Sequence, residues 1–196
     1  MDIDVATRTT TAAEGLPRRR FSVAEVEAMV AAGILDEDER VELIGGELVP
    51  MSPKGIFHER IKIALNAWFS DRRPHSTIVA VETTLRLSQD TFLDPDILLF
   101  ERGAGVAGLS AGAALLAIEV ADSSLAYDLG RKARVYAAHG LRELWVIDAV
   151  AMVLTRHLEP GPEGYRTITT HAADETVTPS VADPAFALRL ADLDLV

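Results

Sequence analysis

The 196-residue chain contains no cysteine, which excludes a disulfide framework, a thiol nucleophile and a cysteine-based zinc site. No apolar run approaches the roughly 18 residues that a membrane helix needs. The first 17 residues lack the basic and then apolar pattern of a signal peptide. We therefore expect a soluble cytoplasmic protein with no membrane partner, in which any metal is bound by oxygen or imidazole ligands.

Basic residues are also scarce. The 19 Lys+Arg residues against 30 Asp+Glu residues give a net charge of −11, which argues against a general polyanion-binding or membrane-surface protein. A contact with nucleic acid must therefore be local. The basic clusters of the folded region are the pair Arg72-Arg73 and the group of Arg131, Lys132 and Arg134.

The length suits one domain, and 48% hydrophobic with 25% charged residues is the composition of a globular protein. Residues 1–20 begin with a stretch rich in Thr, Ala and acidic residues, show no apolar periodicity and end in three arginines. We assign residues 1–20 to a flexible N-terminal arm and residues 21–196 to the folded domain.

Hydrophobic periodicity and turn signals predict the helices and strands of this domain. Ser22 and Glu25 have the spacing of a capping box, and Gly45-Gly46 has the composition of a hairpin turn. The predicted order is a helix from 22 to before 33, hairpin strands 40–44 and 47–51, a helix 57–71, strands 77–87, 96–100 and 115–121, a helix 127–139, and strands 143–148, 151–158, 165–171 and 186–190. This order predicts a mixed α/β protein, with helices packed around one mixed sheet.

Two carboxylates occupy unusual positions in these strands. Asp96 begins one apolar strand and Glu119 interrupts the next, although burial of an unpaired charge costs several kcal/mol. Ala117 and Ala121 share the face of Glu119 and leave space beside it. Carboxylates that converge from neighbouring strands suit a hard divalent cation such as Mg²⁺. The alternative is that Asp96 caps a turn after Asp94 and that Glu119 pairs with a buried arginine.

The helix after these strands carries polar residues on one face. Asp128, Lys132 and Tyr136 are spaced at i, i+4 and i+8, so they can point together at the edge of the sheet. Arg131 and Arg134 flank Lys132 and could hold a phosphate. The alternative is an ordinary exposed ion pair between Asp128 and Lys132.

Two further residues are weaker candidates. His58 lies in the first turn of the second helix and Glu47 begins the second hairpin strand. Either could orient a water molecule or an ion, although a lone histidine is more often structural. The sequence contains no GxSxG elbow, Walker phosphate loop or HExxH motif, which removes the common signatures of those enzyme classes.

Motifs spread over residues 21–190 together resemble the Uma-two (Uma2) family, within the PD-(D/E)XK nuclease superfamily. The motifs are Gly46-Glu47-Leu48, His58, Pro95-Asp96, Glu119-Val120, Asp128, Lys132, Tyr136 and the strand Glu143 to Asp148. An ordered set of this kind is more specific than any single match. The resemblance implies a restriction-endonuclease-like core, in which helices flank a central mixed β-sheet that presents a metal site at one edge.

The resemblance also implies roles for individual residues. Asp96 is similar to the superfamily aspartate and Glu119 to its acidic partner, which together with the Val120 carbonyl would bind Mg²⁺ or Mn²⁺. The usual lysine two residues after Glu119 is replaced by Ala121. The resemblance therefore implies a migrated catalytic lysine, Lys132, supplied by the following helix.

The function implied is a metal-dependent endonuclease that hydrolyses phosphodiester bonds of DNA, with His58 and Glu47 as auxiliary catalytic residues. A twofold homodimer would suit the cutting of both strands. The alternative is a non-catalytic binding or assembly protein that keeps the nuclease fold and uses the acidic site to hold a structural ion. The net charge favours this alternative, whereas the set of Asp96, Glu119 and Lys132 favours the enzyme.

Overall fold

The computed structural model describes residues 9–11, 17–36 and 38–195, and these residues divide into two compact units. The smaller unit takes the chain up to residue 52 together with residues 86–93, and the larger takes residues 53–85 and those from 94 onward. The sequence placed residues 21–196 in one domain. That assignment stays a prediction. Residues 86–93 group with the N-terminal part of the chain because Phe92 pairs with Leu43 of the hairpin.

Strands outnumber helices in the described residues. In chain order the strands are β1 Thr9–Thr11, β2 Pro17–Arg19, β3 Val41–Ile44, β4 Glu47–Pro50, β5 Thr77–Val81, β6 Leu85–Ser88, β7 Thr91–Leu93, β8 Ile97–Glu101, β9 Ala114–Ala121, β10 Glu143–Asp148, β11 Val153–Gly161 and β12 Gly164–His171. The helices are α1 Val23–Ala31, α2 Ile56–Asp71, α3 Leu125–Tyr127 and α4 Ala133–Ala138, with a π-helical segment Asp128–Lys132 between α3 and α4. None of these helices is long and apolar enough to cross a membrane.

The described strands form a six-stranded mixed sheet, a four-stranded sheet and a two-stranded sheet of β1 and β2. The larger sheet has the order β12-β11-β10-β9-β8-β5, in which β9 and β10 are parallel and the other neighbours are antiparallel. The smaller sheet has the order β4-β3-β7-β6. The sequence prediction of a mixed α/β fold, with helices beside a central mixed sheet, is confirmed.

Local signals account for much of the smaller unit. Ser22 caps α1 and forms the predicted capping box with Glu25, while Gly45 and Gly46 form the hairpin turn with φ angles of 58° and 82°. The predicted arm, residues 1–20, lies partly outside the described residues. Within it, Thr9–Thr11 and Pro17–Arg19 pair as antiparallel strands, which the absence of an apolar period did not indicate.

Different helices cover the two faces of the six-stranded sheet. One face packs on α2, where Ile61, Leu65 and Phe69 join Ile118 and Trp145 in the main hydrophobic core. Because strand side chains alternate, the residues between these core positions, among them the two carboxylates, belong to the opposite face. Helix α4 covers that face through β11 and β12.

Two predicted strands are corrected by the structure. The single strand predicted over 77–87 is two strands in different sheets, β5 and β6. Glu82 between them has a φ of 47°, a backbone angle that does not continue a strand. The predicted strand 186–190 instead contains parts of two 3₁₀ turns, Pro184–Phe186 and Leu190–Asp192. Its alternating apolar residues are buried in the core, so the period of two came from packing.

Candidate active site

Asp96 and Glu119 lie side by side in the larger sheet. The antiparallel register of β8 and β9 pairs Ile97 with Ile118, so the next residues outward, Asp96 and Glu119, oppose each other. Opposed residues of antiparallel strands point to the same face of a sheet. The two residues are only 5% and 3% exposed, which makes them a buried pair of acids on one surface.

Hydrogen-bond donors surround the carboxylate of Asp96. Its Oδ1 accepts from Lys54 Nζ at 2.9 Å and lies 3.0 Å from His58 Nε2, while its Oδ2 accepts from the Val120 N–H group at 2.8 Å. Burial by itself would raise the pKa of Asp96, but the His58 hydrogen bond and the charges of His58 and Lys54 outweigh it and hold the pKa well below its usual range. Asp96 is therefore an anion at neutral pH.

The carboxylate of Glu119 has donors from the next helix. Its Oε1 accepts from the Tyr136 hydroxyl at 2.6 Å, and its Oε2 lies 3.0 Å from Lys132 Nζ. The sequence alternative paired Glu119 with a buried arginine, whereas the structure pairs it with Lys132, which is itself 4% exposed. Lys132 is thus buried against one of the two acids.

A π-helical segment presents Lys132 to the sheet. The helix predicted over 127–139 begins at Leu125, and its Asp128–Lys132 portion has π geometry, with the Ala133 N–H group donating to the Asp128 carbonyl. The predicted polar face of Asp128, Lys132 and Tyr136 is buried. Short π segments within α-helices occur frequently at functional sites. Arg131 is exposed and lies on a different side of the helix from Lys132.

Four charged residues that the sequence did not single out extend the site. Lys54 Nζ contacts Glu82 as well as Asp96, and Lys62 Nζ contacts both Glu82 and Glu59. Burial would raise the pKa of Glu82, but hydrogen bonds and charge from Lys54 and Lys62 lower it to about 2. The contacts form a chain of alternating charges from Asp96 to Glu59.

One signal for part of this chain was present in the sequence. Lys62 follows His58 by four residues and Glu59 by three, so all three project from neighbouring positions of α2. His58 Nδ1 lies 3.4 Å from Glu59 Oε1. The last acid of the chain of charges is therefore close to the same imidazole that contacts Asp96. Lys54 and Glu82 lie in connections between elements and had no comparable signal.

Glu47, the remaining candidate, belongs to the smaller unit. It begins β4, where it pairs with Ile44 of β3, and its side chain is half-buried. Its auxiliary role stays a prediction.

Asp96 and Glu119 offer carboxylate oxygens, the type of ligand that a hard divalent cation prefers. The Ala121 carbonyl accepts from Ala149 N–H on the β10 side, and successive carbonyls of a strand alternate in direction, so the Val120 carbonyl faces the Asp96 side. Among the described residues no group of three or more His, Asp and Glu side chains is arranged to hold a metal ion. Mg²⁺ typically takes one or two carboxylates and completes its shell with water and substrate oxygens. Asp96, Glu119 and the Val120 carbonyl are the groups here that could supply protein ligands to such an ion.

Comparison with known proteins gives a consistent result. The model of the Uma2 family, described as putative restriction endonuclease, matches residues 23–191. The fold is similar to that of a putative nuclease belonging to DUF820 from Anabaena variabilis ATCC 29413, with a TM-score of 0.63, 17% identity, and coverage of 88% of this chain and 96% of that chain. No curated protein matches the sequence. This structural similarity agrees with the expected restriction-endonuclease-like fold and covers 88% of the chain.

Proposed function

Because this chain belongs to the Uma2 family, we propose that it is an endonuclease that hydrolyses phosphodiester bonds of DNA with Mg²⁺ or Mn²⁺. The observation that carries the proposal is the pair of buried carboxylates, Asp96 and Glu119, on one face of the sheet. Buried ion pairs are commonly no better for stability than apolar residues of similar volume. Two buried acids with lysine partners therefore favour a chemical role for this surface.

Each residue of the pair and its neighbours takes a defined part in this proposal. Asp96, Glu119 and the Val120 carbonyl would hold the divalent cation, which would polarise the scissile phosphate and lower the pKa of a bound water. Lys132 orients that water or neutralises the charge that develops on the phosphate, a role typically worth about 2.7–4 kcal/mol. Tyr136 fixes the orientation of Glu119 by donating to Oε1.

His58 acts in this proposal as a positioning residue. Its Nε2 lies 3.0 Å from Asp96 Oδ1 and its Nδ1 lies 3.4 Å from Glu59 Oε1. The Nε2 contact joins the ring to Asp96 and restrains that carboxylate, whereas Nδ1 makes no hydrogen bond within the described residues. Glu47 is retained as an auxiliary acid that could bind a second ion.

The proposed substrate must be reconciled with the charge of the protein. At −11, the chain repels a polyanion over most of its surface. Arg131 and Arg134 are exposed beside the buried Lys132, so they supply a local surface for phosphates. The same charge, with the lysine partners of both acids, favours the second candidate function, a non-catalytic binding protein of this fold.

Cleavage of supercoiled plasmid separates these two functions. We expect the wild-type protein to nick the plasmid with Mg²⁺ or Mn²⁺ and not in EDTA, and Asp96→Asn to lose this activity. Asp71→Asn is the matched control, because Asp71 is an exposed carboxylate at the far end of α2. Equal activity of the wild type and Asp96→Asn, or a wild type inactive with both metals, would favour the binding protein.

A further inference from the structure

The ammonium group of Lys54 occupies the oxygen of Asp96 that faces the chain of alternating charges. Lys54 Nζ donates to Oδ1 at 2.9 Å, and the Val120 N–H group takes Oδ2 at 2.8 Å. The Asp96 side chain is 7% exposed and that of Lys54 11%, so little of this carboxylate is open to solvent. A divalent cation on Asp96 must therefore compete with Lys54, and with His58 Nε2, which lies 3.0 Å from the same oxygen.

A second carboxylate holds Lys54 from its other side. Glu82 contacts Lys54 Nζ. Lys62 Nζ also contacts Glu82, and it lies 2.8 Å from Glu59 Oε1. Glu82 Oε1 contacts both ammonium groups, so the Glu82 carboxylate is held between Lys54 and Lys62. If Lys54 leaves Asp96, it therefore still has Glu82 as an ionic partner.

We propose that Lys54 is a resident cation of the site, which occupies Asp96 in the metal-free protein and turns to a phosphate oxygen of the substrate when Asp96 binds a divalent cation. Glu82 is its positioning residue. This inference rests on the proposed function, from which it takes both the cation and the phosphate.

The chemistry of lysine suits this exchange. An ammonium is a compact charge with three rotatable donors on a flexible four-carbon stem, so it can change partners while Glu82 retains it. Two cations on one carboxylate oxygen repel each other. Lys132 contacts the other acid, Glu119. The site would then meet the substrate with two lysines, Lys54 from the connection before α2 and Lys132 from the π-helical segment.

Calorimetric titration of the metal-free protein with Mn²⁺ tests the competition without any measurement of activity. We expect Lys54→Gln to bind Mn²⁺ about tenfold more tightly than the wild type, since a charge-assisted hydrogen bond no longer has to break. Lys62→Gln is the matched control: it removes the same charge from the same chain of contacts but does not touch Asp96, and its affinity should change by less than about twofold. Lys54→Arg, which keeps the charge, should resemble the wild type.

Binding of a DNA duplex in Ca²⁺ tests the second half of the inference. We expect Lys54→Gln to bind DNA about fivefold more weakly than Lys62→Gln, because a phosphate contact is lost. Circular dichroism checks that the variants are folded, and Lys54→Met replaces Lys54→Gln where the glutamine variant is not.

The outcomes separate this inference from the proposed function. If the wild type binds Mn²⁺ through Asp96 but Lys54→Gln binds it no more tightly, the resident-cation inference fails alone. Equal tightening by Lys62→Gln, or undiminished DNA binding by Lys54→Gln, also overturns it. If neither the wild type nor Lys54→Gln binds Mn²⁺ in a way that Asp96→Asn abolishes, the proposed function fails as well.

Discussion

Removal of the Lys132 ammonium should destabilise the larger unit strongly. Its Nζ lies 3.0 Å from Glu119 Oε2, and the two side chains are 5% and 4% exposed. A buried ion pair that loses one partner typically costs about 3–5 kcal/mol, because the remaining charge is no longer compensated. We therefore expect Lys132→Met to lower the free energy of unfolding by about 3–5 kcal/mol, although Tyr136 still donates to Glu119.

Urea unfolding followed by tryptophan fluorescence measures this loss. Trp68 and Trp145 are the two tryptophans of the chain, and both belong to the larger unit, so the signal reports that unit. Trp145 is fully buried and packs on Phe69 with ring centroids 6.4 Å apart. With an m value of about 2 kcal/mol/M, the midpoint should fall by about 1.5–2.5 M.

A double variant supplies the control. Lys132→Met combined with Glu119→Gln removes both charges, and we expect it to recover most of the stability that Lys132→Met loses, because no unpaired charge remains. The reasoning is refuted if Lys132→Met costs less than about 1 kcal/mol, or if the double variant is as unstable as the sum of the two single variants.

Three further outcomes follow from the structure. The folded pKa of Glu82 is lowered to about 2, against an ordinary value of 4.5. Its contribution to stability is therefore complete above pH 4.5 and disappears as the pH falls toward 2. In urea titrations, the free energy of unfolding should decline less over this pH range for Glu82→Gln than for the wild type. Gly46→Ala should lower the melting temperature by more than Gly33→Ala does, since both positions have positive φ but only at Gly46 would a Cβ lie 2.5 Å from Arg20 Cβ; equal shifts would contradict this. DNA affinity should be higher in Ca²⁺ than in EDTA, with a salt slope of about −0.9 per phosphate contact, and Asp96→Asn should remove the difference; equal affinity in wild type would show that the carboxylates do not face DNA.

The elements that the sequence determined by itself depend on near neighbours along the chain. The capping box of Ser22 and Glu25 and the turn at Gly45-Gly46 are local, and the apolar period of α2 predicts a helix wherever a core exists. Asp96 and Glu119 were also recognisable from sequence. A charge within an apolar strand is costly to bury, so the amino-acid pattern alone marks these two positions as unusual.

Tertiary structure alone decided the partners of those charges. Lys54 lies 42 residues before Asp96, in a connection where polar residues are ordinary, and only the pairing of β5 with β8 brings Glu82 near both. The split of the predicted strand 77–87 depends on a positive φ at Glu82, which no local pattern specifies. A sequence pattern shows whether each residue suits water or the core. Contacts between charges far apart in the sequence depend on which strands pair and where each strand ends.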